Sequence, residues 1–273
     1  MRTSGSDGIA PPVDTGARES FTIVLCSIDD EKCGRAVALY RRLFAGTRHE
    51  IVAIRDARSL PEAYNEAIAR SAADIVVLSH DDVDVLAPDF AARISRHLQA
   101  FDAIGVAGSV RMDGPAIGWS GHPYLRGWIT QRARDDPGWH VDGLDARLTA
   151  AGIVVLDGVL LAARRSTFAE VPFDAATFAG FHLYDIDWSY RASQAGFRLS
   201  VAGDLLVVHA SRGRFGTTWQ RYAERFCAKR GVGRSPPQPS SFIGVTFDTP
   251  DEVRTFFAIL SGLNGFTATL PNR

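Results

Sequence analysis

Hydrophobic residues along this chain follow two alternating patterns. Short, continuously apolar runs are typical of strands buried on both faces of a sheet. Such runs lie at residues 21–26, 51–54, 75–79 and 104–110. Between them, apolar residues recur three and four positions apart, as on one face of a helix. This alternation predicts an α/β fold with a mostly parallel, twisted sheet and helices on both faces.

Segments of different composition bound the regular pattern. Residues 1–19 are rich in Gly, Pro, Ser and Asp and lack periodicity, which predicts a disordered leader. The main domain is expected to span 20–230, followed by a proline-rich linker at 231–241 and a C-terminal strand and helix extension at 242–273. Residues 113–150 interrupt the alternation, hold three of the five tryptophans and are interpreted as irregular.

The last helix of the chain is expected to begin after Thr249 and to carry an apolar stripe. The stripe consists of Phe256, Phe257, Leu260 and Leu263. An apolar stripe of this kind has to be buried. It packs either back onto the main domain, which is the simpler interpretation, or onto a second copy of the chain or a membrane surface.

Composition excludes several classes of protein. A net charge of −1 favours neither nucleic acid nor an anionic membrane as partner. Three cysteines in no metal-binding spacing indicate free thiols in a reducing compartment. The first twenty residues lack the apolar core of a signal peptide, and no apolar run reaches the roughly 18–20 residues that cross a bilayer. We therefore expect a cytoplasmic protein, soluble or peripheral to a membrane.

Carboxylates follow the third apolar run directly. In the sequence His80-Asp81-Asp82, the acids stand at the carboxyl end of a strand, where ligands bind in open α/β sheets. A hard divalent cation takes oxygen ligands and bridges the phosphates of a nucleotide, so a short acidic cluster can be the protein's whole contribution. The alternative is a turn of solvated acids before the next helix.

A second acidic group opens the helix expected from Tyr184 to Ala195. Asp185 is either a functional carboxylate or an acid favoured at a helix start by the helix dipole. Asp187 is better explained by the helix start alone. Trp188 lies three residues beyond Asp185 on the same face, so it is either a surface for a sugar ring or a core residue.

Three further polar positions lie at the ends of apolar runs. His209 ends a strand and is either structural or a ligand. Asp56 follows the second strand and either accepts a hydrogen bond from a nucleobase or is a polar loop residue. Asp157 lies inside an apolar run and therefore needs a partner or a strand end, and Gly158 after it marks a bend where backbone approaches a ligand.

In this order, these pieces resemble glycosyltransferase family 2, a family of GT-A fold, and most closely its StrF-like branch. The likeness covers about residues 20–230. The stretches that carry it are 63–68 leading into 77–83, 104–109, and Asp157-Gly158 through 181–187 to His209.

The resemblance implies a metal-dependent inverting glycosyltransferase. Such an enzyme moves a sugar from a nucleotide-sugar donor to a hydroxyl of a saccharide, lipid or small-molecule acceptor. Asp82 and His209 would hold Mn²⁺ or Mg²⁺, and Asp185 would be the catalytic base. Residues 113–150 would cover or shape the acceptor site. The positions implied for donor binding are Ser27, Asp29, Asp56, Asp81, Asp157 and Arg212.

Two departures from the wider family keep other functions open. His80 stands where the metal-binding D-x-D motif has its first acid, and Tyr184 replaces the acid that usually precedes the base. A catalytically silent nucleotide-sugar-binding protein is therefore an alternative, although both Asp82 and Asp185 are present. A nucleotidyltransferase is another, but residues 26–30 after the first strand are acidic and lack the glycine-rich phosphate loop of that class.

Overall fold

The computed structural model describes residues 19–132, 136–143, 149–211, 215–233 and 243–268. The leader up to residue 18 and most of the proline-rich segment lie outside this part. The strands are β1 (Ser20–Ser27), β2 (Arg48–Arg55), β3 (Ile75–Ser79), β4 (Val83–Val85), β5 (Ala103–Gly105), β6 (Ala107–Ser109), β7 (Leu125–Gln131), β8 (Trp139–Gly143), β9 (Thr149–Ile153), β10 (Val155–Leu156), β11 (Leu160–Arg164), β12 (Leu199–Ala202), β13 (Val207–His209) and β14 (Ile243–Phe247).

Helices connect many of these strands. The α-helices are α1 (Asp30–Leu43), α2 (Leu60–Arg70), α3 (Phe90–Ala100), α4 (Arg165–Glu170), α5 (Tyr184–Gln194), α6 (Thr217–Arg230) and α7 (Pro250–Ala268). Capping side chains start several of them. The Ser59 hydroxyl accepts the backbone N–H of Glu62 at 3.3 Å at the start of α2.

The main sheet has seven strands in the order β2-β1-β3-β11-β5-β12-β9. Strand β1 pairs in parallel with β2 and β3, and β12 pairs in parallel with β5. Because β11 is antiparallel to both β3 and β5, those two strands also share one direction. Only β11 and β9 run the other way, so the expected mostly parallel sheet is confirmed.

Both faces of this sheet are covered by helices. Alternate side chains of a strand point to opposite faces, and those of β3 divide accordingly between two hydrophobic clusters. Ile75 and Val77 pack in one cluster with α1 and α3, whereas Val76 and Leu78 pack in the other with α2 and α5. The strand is buried along its whole length, which explains its continuous apolar sequence.

A second sheet extends the domain. Its order is β10-β6-β7-β13-β4, with β8 paired to β7 and β14 paired to β8. The prediction of a single strand at 104–110 is wrong, because the chain leaves the main sheet after β5 and enters the second sheet as β6. Strand β13 of this second sheet ends at His209, next to the carboxyl edge of the main sheet.

The interpretation of residues 113–150 as irregular is wrong in part. The segment contains β7, β8 and the start of β9, and two of its tryptophans are buried in the core. Trp128 and Trp139 belong to the hydrophobic cluster that joins the second sheet to α1 and α3. The mixture of polar and apolar residues around these tryptophans reflects strands of an antiparallel sheet rather than a loop.

The C-terminal extension packs onto the main domain. Strand β14 pairs with β8, and the ring of Phe257 lies 6.1 Å from that of Trp128 and is 3% exposed. Phe256 packs against the same tryptophan at 5.4 Å. Phe256 and Phe257 thus pack within the chain, as the simpler interpretation expects; Leu260 is half-buried, and the side chain of Leu263 lies outside the described part. No described helix is both long and apolar enough to cross a membrane.

Candidate functional site

Asp82 and His209 meet because of strand pairing. Strand β4 starts directly after Asp82 and pairs antiparallel with β13, with Val83 opposite His209. The backbone N–H of Ala210 donates to the carbonyl of Asp82 at 2.9 Å. Two residues that are 127 positions apart are thereby fixed side by side at the carboxyl end of β3, and His209 Nε2 lies 3.2 Å from Asp82 Oδ1.

A third residue, His80, completes this cluster. Its Nδ1 lies 4.0 Å from Asp82 Oδ1, and its ring centroid is 5.5 Å from that of His209. One ligand atom from each of the three residues lies within 4.8 Å of the others. The sequence interpretation missed His80 because it treated the residue as a lost acid, yet residues two apart at a strand end share a side, which could have revealed it.

The residues of the cluster shift one another's pKa values. Burial alone would raise the pKa of Asp82, but the hydrogen bond from His209 and the charges of His209 and His80 outweigh it and hold that pKa at about 2. Burial lowers the pKa of His80, and the neighbouring His209 lowers it further. An ionised carboxylate beside an imidazole whose protonation is disfavoured suits a divalent metal ion, because both ligands bind in their deprotonated form.

The donor-binding positions expected after β1 lie at the same edge. The Ser27 hydroxyl is 2.6 Å from Asp81 Oδ2, which it reaches as donor. Asp29 is exposed and accepts the backbone N–H of Lys32 at 2.9 Å, which caps α1 and lowers the pKa of Asp29. Its position is therefore accounted for by the helix start. A role for either acid toward a donor remains a prediction.

Asp56 and Arg212 are two more of the predicted donor-binding positions. Asp56 follows β2, is exposed, and has a left-handed backbone with φ of 55°, a conformation that aspartate tolerates better than most residues. Arg212, and Arg214 beside it, lie outside the described residues. Asp56 thus stands free at the sheet edge, one strand away from β1.

Asp185 is held against the turn before β11. Its Oδ2 accepts the backbone N–H of Gly158 at 2.7 Å, and the carboxylate of Asp157 lies nearby. Burial, and then the negative charge of Asp157, raise the pKa of Asp185 to about 7. Asp157 itself accepts the N–H of Val159 at 3.0 Å, so it stands at a strand end, as its place in an apolar run predicts.

Helix α5 begins without a side-chain cap. Leu183 precedes it in the left-handed region with φ of 65°, and Asp185 is the second residue of the helix rather than its N-cap. Asp185 is therefore not the N-cap, but it lies in the first turn of α5, and its role as a base remains a prediction. Tyr184, the first helical residue, is buried, and its hydroxyl lies 3.4 Å from His80 Nε2 and 3.4 Å from the carbonyl oxygen of Gly158.

Tyr184 consequently connects the two parts of the site. One of its neighbours, His80, belongs to the cluster with Asp82, and the other, Gly158, donates to Asp185. The acidic residue that usually occupies this place in the wider family is thus replaced by a buried phenol. Burial raises the pKa of Tyr184 well above its ordinary value, so the hydroxyl stays protonated.

Two interpretations near Asp185 need correction. Asp187 is more than an acid of a helix start: it is fully buried and forms ion pairs with Arg191 at 2.9 Å, Lys229 at 2.8 Å, and Arg230. It therefore ties α5 to α6. Trp188 is also fully buried and donates its indole N–H to the carbonyl of Val171 at 2.7 Å, so it is a core residue and not a surface for a sugar ring.

An aromatic groove lies next to the loop that leads into α5. The indole rings of Trp119 and Trp219 are 5.6 Å apart, and Phe215, which is 61% exposed, packs edge-on against Trp219. One helical turn after Trp219, the ring of Tyr222 contacts that of His182 at 6.3 Å. The residues that line the groove are Pro115, Trp119, Trp219, Gln220, Ala223, Glu224 and Cys227.

Comparison with known proteins identifies the relatives of this chain. Residues 22–230 match the model of a family described as a glycosyltransferase-like family. No curated protein sequence matches. Among solved structures, the mannosyltransferase PcManGT from Pyrobaculum calidifontis in complex with GDP-Man and Mn²⁺ is 16% identical, with 83% of this chain and 70% of that chain covered and a TM-score of 0.48.

Two further solved structures are similar at lower identity. GalNAc-T7 with UDP, GalNAc and Mn²⁺ is 11% identical, with 79% of this chain and 48% of that chain covered and a TM-score of 0.46. A197 from STIV is 10% identical, with 71% of this chain and 95% of that chain covered and a TM-score of 0.39.

Proposed function

We propose that this chain, which belongs to the glycosyltransferase-like family and has its GT-A-type α/β fold, is an inverting, metal-dependent glycosyltransferase. It transfers a sugar from a nucleotide-diphosphate sugar to a hydroxyl group of an acceptor. The observation that carries the proposal is the link from His80 through Tyr184 and Gly158 to Asp185. A candidate metal cluster and a candidate base with a near-neutral pKa meet at one sheet edge.

Asp185 is the proposed general base. A base works best when its pKa lies near the working pH, because it is then ionised and still a good proton acceptor. With a pKa of about 7, set by burial and by Asp157, Asp185 fulfils this condition. The Gly158 N–H holds Oδ2, and the carboxylate would take the proton of the acceptor hydroxyl. The acceptor oxygen would then attack the anomeric carbon from the side opposite the leaving diphosphate, which inverts the anomeric configuration.

Asp82 and His209 are the proposed metal ligands. When bound there, the ion would neutralise the charge that develops on the departing nucleoside diphosphate. The chain's own contribution is to keep Asp82 ionised, with its pKa at about 2, and to fix it beside His209 through the pairing of β4 and β13. No covalent enzyme intermediate is required.

The donor is proposed to lie along the carboxyl edge of β1, β2 and β3. Exposed Asp56 would accept hydrogen bonds from a nucleobase, and Ser27 and Asp81, which are hydrogen-bonded to each other, would contact the ribose or phosphates. Asp157 contributes by shaping the turn that meets Asp185. Asp29 and Arg212 complete the proposed donor set, the first beside the start of α1.

For the acceptor, we assign a saccharide unit to the groove that Trp119 and Trp219 line together with Gln220 and Glu224, beside the paired indole rings. Flat indole surfaces suit the apolar face of a sugar ring, and the side chains of Gln220 and Glu224 offer polar contacts for its hydroxyl groups. Replacing Trp219 with Ala should raise the acceptor KM with little change in donor KM. Equal acceptor KM in the variant and the wild type would exclude the groove.

The transfer reaction can be tested directly. UDP-, GDP- and dTDP-linked sugars are incubated with the purified protein and Mn²⁺, with and without oligosaccharide acceptors, and product configuration is determined by NMR. We expect release of nucleoside diphosphate from one donor class and a product of inverted anomeric configuration. A product of retained configuration contradicts the mechanism. Tight donor binding without release, for every acceptor, indicates the catalytically silent protein instead.

A further inference from the structure

His80 stands in the position of an acid, and this replacement changes the chemistry of the candidate metal cluster. We propose that His80 is a direct metal ligand, so that the site binds a first-row transition cation, Mn²⁺ or a later ion, and rejects Mg²⁺. The inference deepens the proposed function and rests on it for the role of the ion, but metal binding itself can be measured without any transfer reaction.

The spacing of the three residues fits one ion. For metal–ligand bonds of about 2.1 Å, neighbouring ligand atoms in an octahedron are about 3.0 Å apart and opposite ones about 4.2 Å. The His209 Nε2 to Asp82 Oδ1 distance is 3.2 Å, and the His80 Nδ1 to Asp82 Oδ1 distance is 4.0 Å. All three ligand atoms lie within 4.8 Å of one another, so small side-chain rotations bring them to one centre.

The ring nitrogen of His80 that does not face Asp82 has a hydrogen-bond partner, as is usual for a metal-binding histidine. Metal-binding histidines donate their second ring N–H to a fixed partner, which sets the tautomer and aims the other nitrogen at the ion. The Nε2 of His80 lies 3.4 Å from the hydroxyl of Tyr184. That hydroxyl in turn reaches the carbonyl oxygen of Gly158 at 3.4 Å. In this chain of hydrogen bonds, Nδ1 keeps its lone pair and faces Asp82.

The composition of the ligand set determines the preferred ion. Mg²⁺ prefers oxygen ligands and gives up its water reluctantly, whereas imidazole nitrogens favour first-row transition ions. Two imidazoles and one carboxylate therefore disfavour Mg²⁺, and affinity should rise from Mn²⁺ to Co²⁺ in the usual order of these ions. An Asp at position 80 would restore an oxygen-rich site that accepts both Mg²⁺ and Mn²⁺.

Calorimetric titration with MnCl₂, CoCl₂ and MgCl₂ tests the proposal, first without nucleotide and then with UDP or GDP added. We expect the wild type to bind Mn²⁺ at least roughly tenfold more tightly than Mg²⁺. His80→Ala should weaken Mn²⁺ binding, and His80→Asp should bring the two affinities together. His140→Ala is the matched control, since His140 is paired with Asp136 at 2.7 Å on β8 and should leave metal binding unchanged.

Pulsed electron paramagnetic resonance of bound Mn²⁺ gives a second readout, independent of affinity. Coupling to two imidazole nitrogens is expected in the wild type and to one in His80→Asp. Equal affinity for Mg²⁺ and Mn²⁺, unchanged nitrogen coupling in His80→Asp, or no binding of any ion with or without nucleotide would each overturn the inference. Selective Mn²⁺ binding together with no sugar transfer would instead contradict the proposed function and leave the metal site standing.

Discussion

The carboxylate of Asp185 accepts a 2.7 Å hydrogen bond from the backbone N–H of Gly158. This contact joins the start of α5 to the turn before β11, and the two residues are 27 positions apart in the sequence. It fixes the position of one carboxylate oxygen. The absence of a side chain at position 158 is what allows so close an approach.

Gly158→Ala should therefore disable the site. A Cβ at this position would lie 2.8 Å from Asp185 Cβ, 2.8 Å from the Tyr184 hydroxyl and 2.9 Å from Asp185 Oδ2, distances that real Cβ atoms essentially never show. Because both neighbours must move, we expect loss of turnover by roughly 10²-fold, the cost of about 1 Å of misplacement at a reacting group. Steady-state kinetics measure the effect.

Gly34→Ala is the matched control. Gly34 lies in the exposed face of α1, and an added Cβ there meets nothing within 4 Å. Alanine in a helix interior is favoured over glycine by about 0.5–1 kcal/mol, so this variant should be slightly more stable and fully active. Normal activity in Gly158→Ala would show that the close approach to Asp185 has no part in the reaction.

The raised pKa of Asp185 also has a consequence for stability. Its folded-state pKa of about 7 exceeds the value of about 3.9 for an unfolded aspartate, so the native state binds more protons between these two pH values. The free energy of unfolding therefore falls as pH rises through this window. Asp185→Asn removes the effect while keeping an oxygen for the Gly158 N–H.

Urea unfolding of both proteins at pH 5 and pH 8 tests this linkage. Relative to the wild type, Asp185→Asn should gain on the order of 2 kcal/mol between pH 5 and pH 8, because other titrating groups cancel in the comparison. A stability difference that is the same at both pH values would mean that Asp185 titrates at an ordinary aspartate pKa.

Most of what the sequence could predict about the site came from polar residues at the ends of apolar runs. Asp82 and His209 each follow an apolar run, and sheets place such ends at one edge. The pairing of β4 with β13, which aligns these two residues, is invisible in the pattern because both strands have only three residues. His80 was passed over for a different reason: a motif comparison registers a replaced acid, and it gives no weight to the place of the new side chain beside Asp82 and His209.

Asp187 illustrates the second limit of sequence reasoning. Residues two apart in a helix point to different sides, so Asp185 and Asp187 enter different surroundings despite their similar sequence positions. Asp187 meets Lys229 and Arg230 from α6, more than 40 residues away along the chain, and a helix-start pattern contains no trace of those partners. Long-range ion pairs of this kind follow from packing alone.

Asp187→Asn should for this reason be strongly destabilising. The carboxylate is fully buried between three cationic side chains, and removing one member of a buried ion network leaves uncompensated charge. We expect a loss of about 3 kcal/mol in the free energy of unfolding, measured by urea titration. Stability within 0.5 kcal/mol of the wild type, the range of about ±0.5 kcal/mol usual for surface substitutions, would contradict a structural role for this network.

Asp185→Asn in a transfer assay is the decisive test of the mechanism. The substitution keeps the size of the side chain and removes its ability to accept a proton. General-base catalysis typically contributes about 10²–10⁴-fold, so kcat should fall by that order, while donor KM stays nearly constant because the donor lies on the β1–β3 edge. In the wild type, kcat should rise with pH through about 7, where Asp185 ionises, and this step should vanish in the variant.

Asp251→Asn is the matched control. Asp251 is the second residue of α7, as Asp185 is of α5, but its side chain is exposed and pairs with Arg254, so this variant should keep full activity. Because asparagine is well tolerated at helix starts, a helix-start role for Asp185 makes the opposite forecast, in which both variants keep their rate and their pH profile. Undiminished turnover in Asp185→Asn would therefore remove Asp185 as the base.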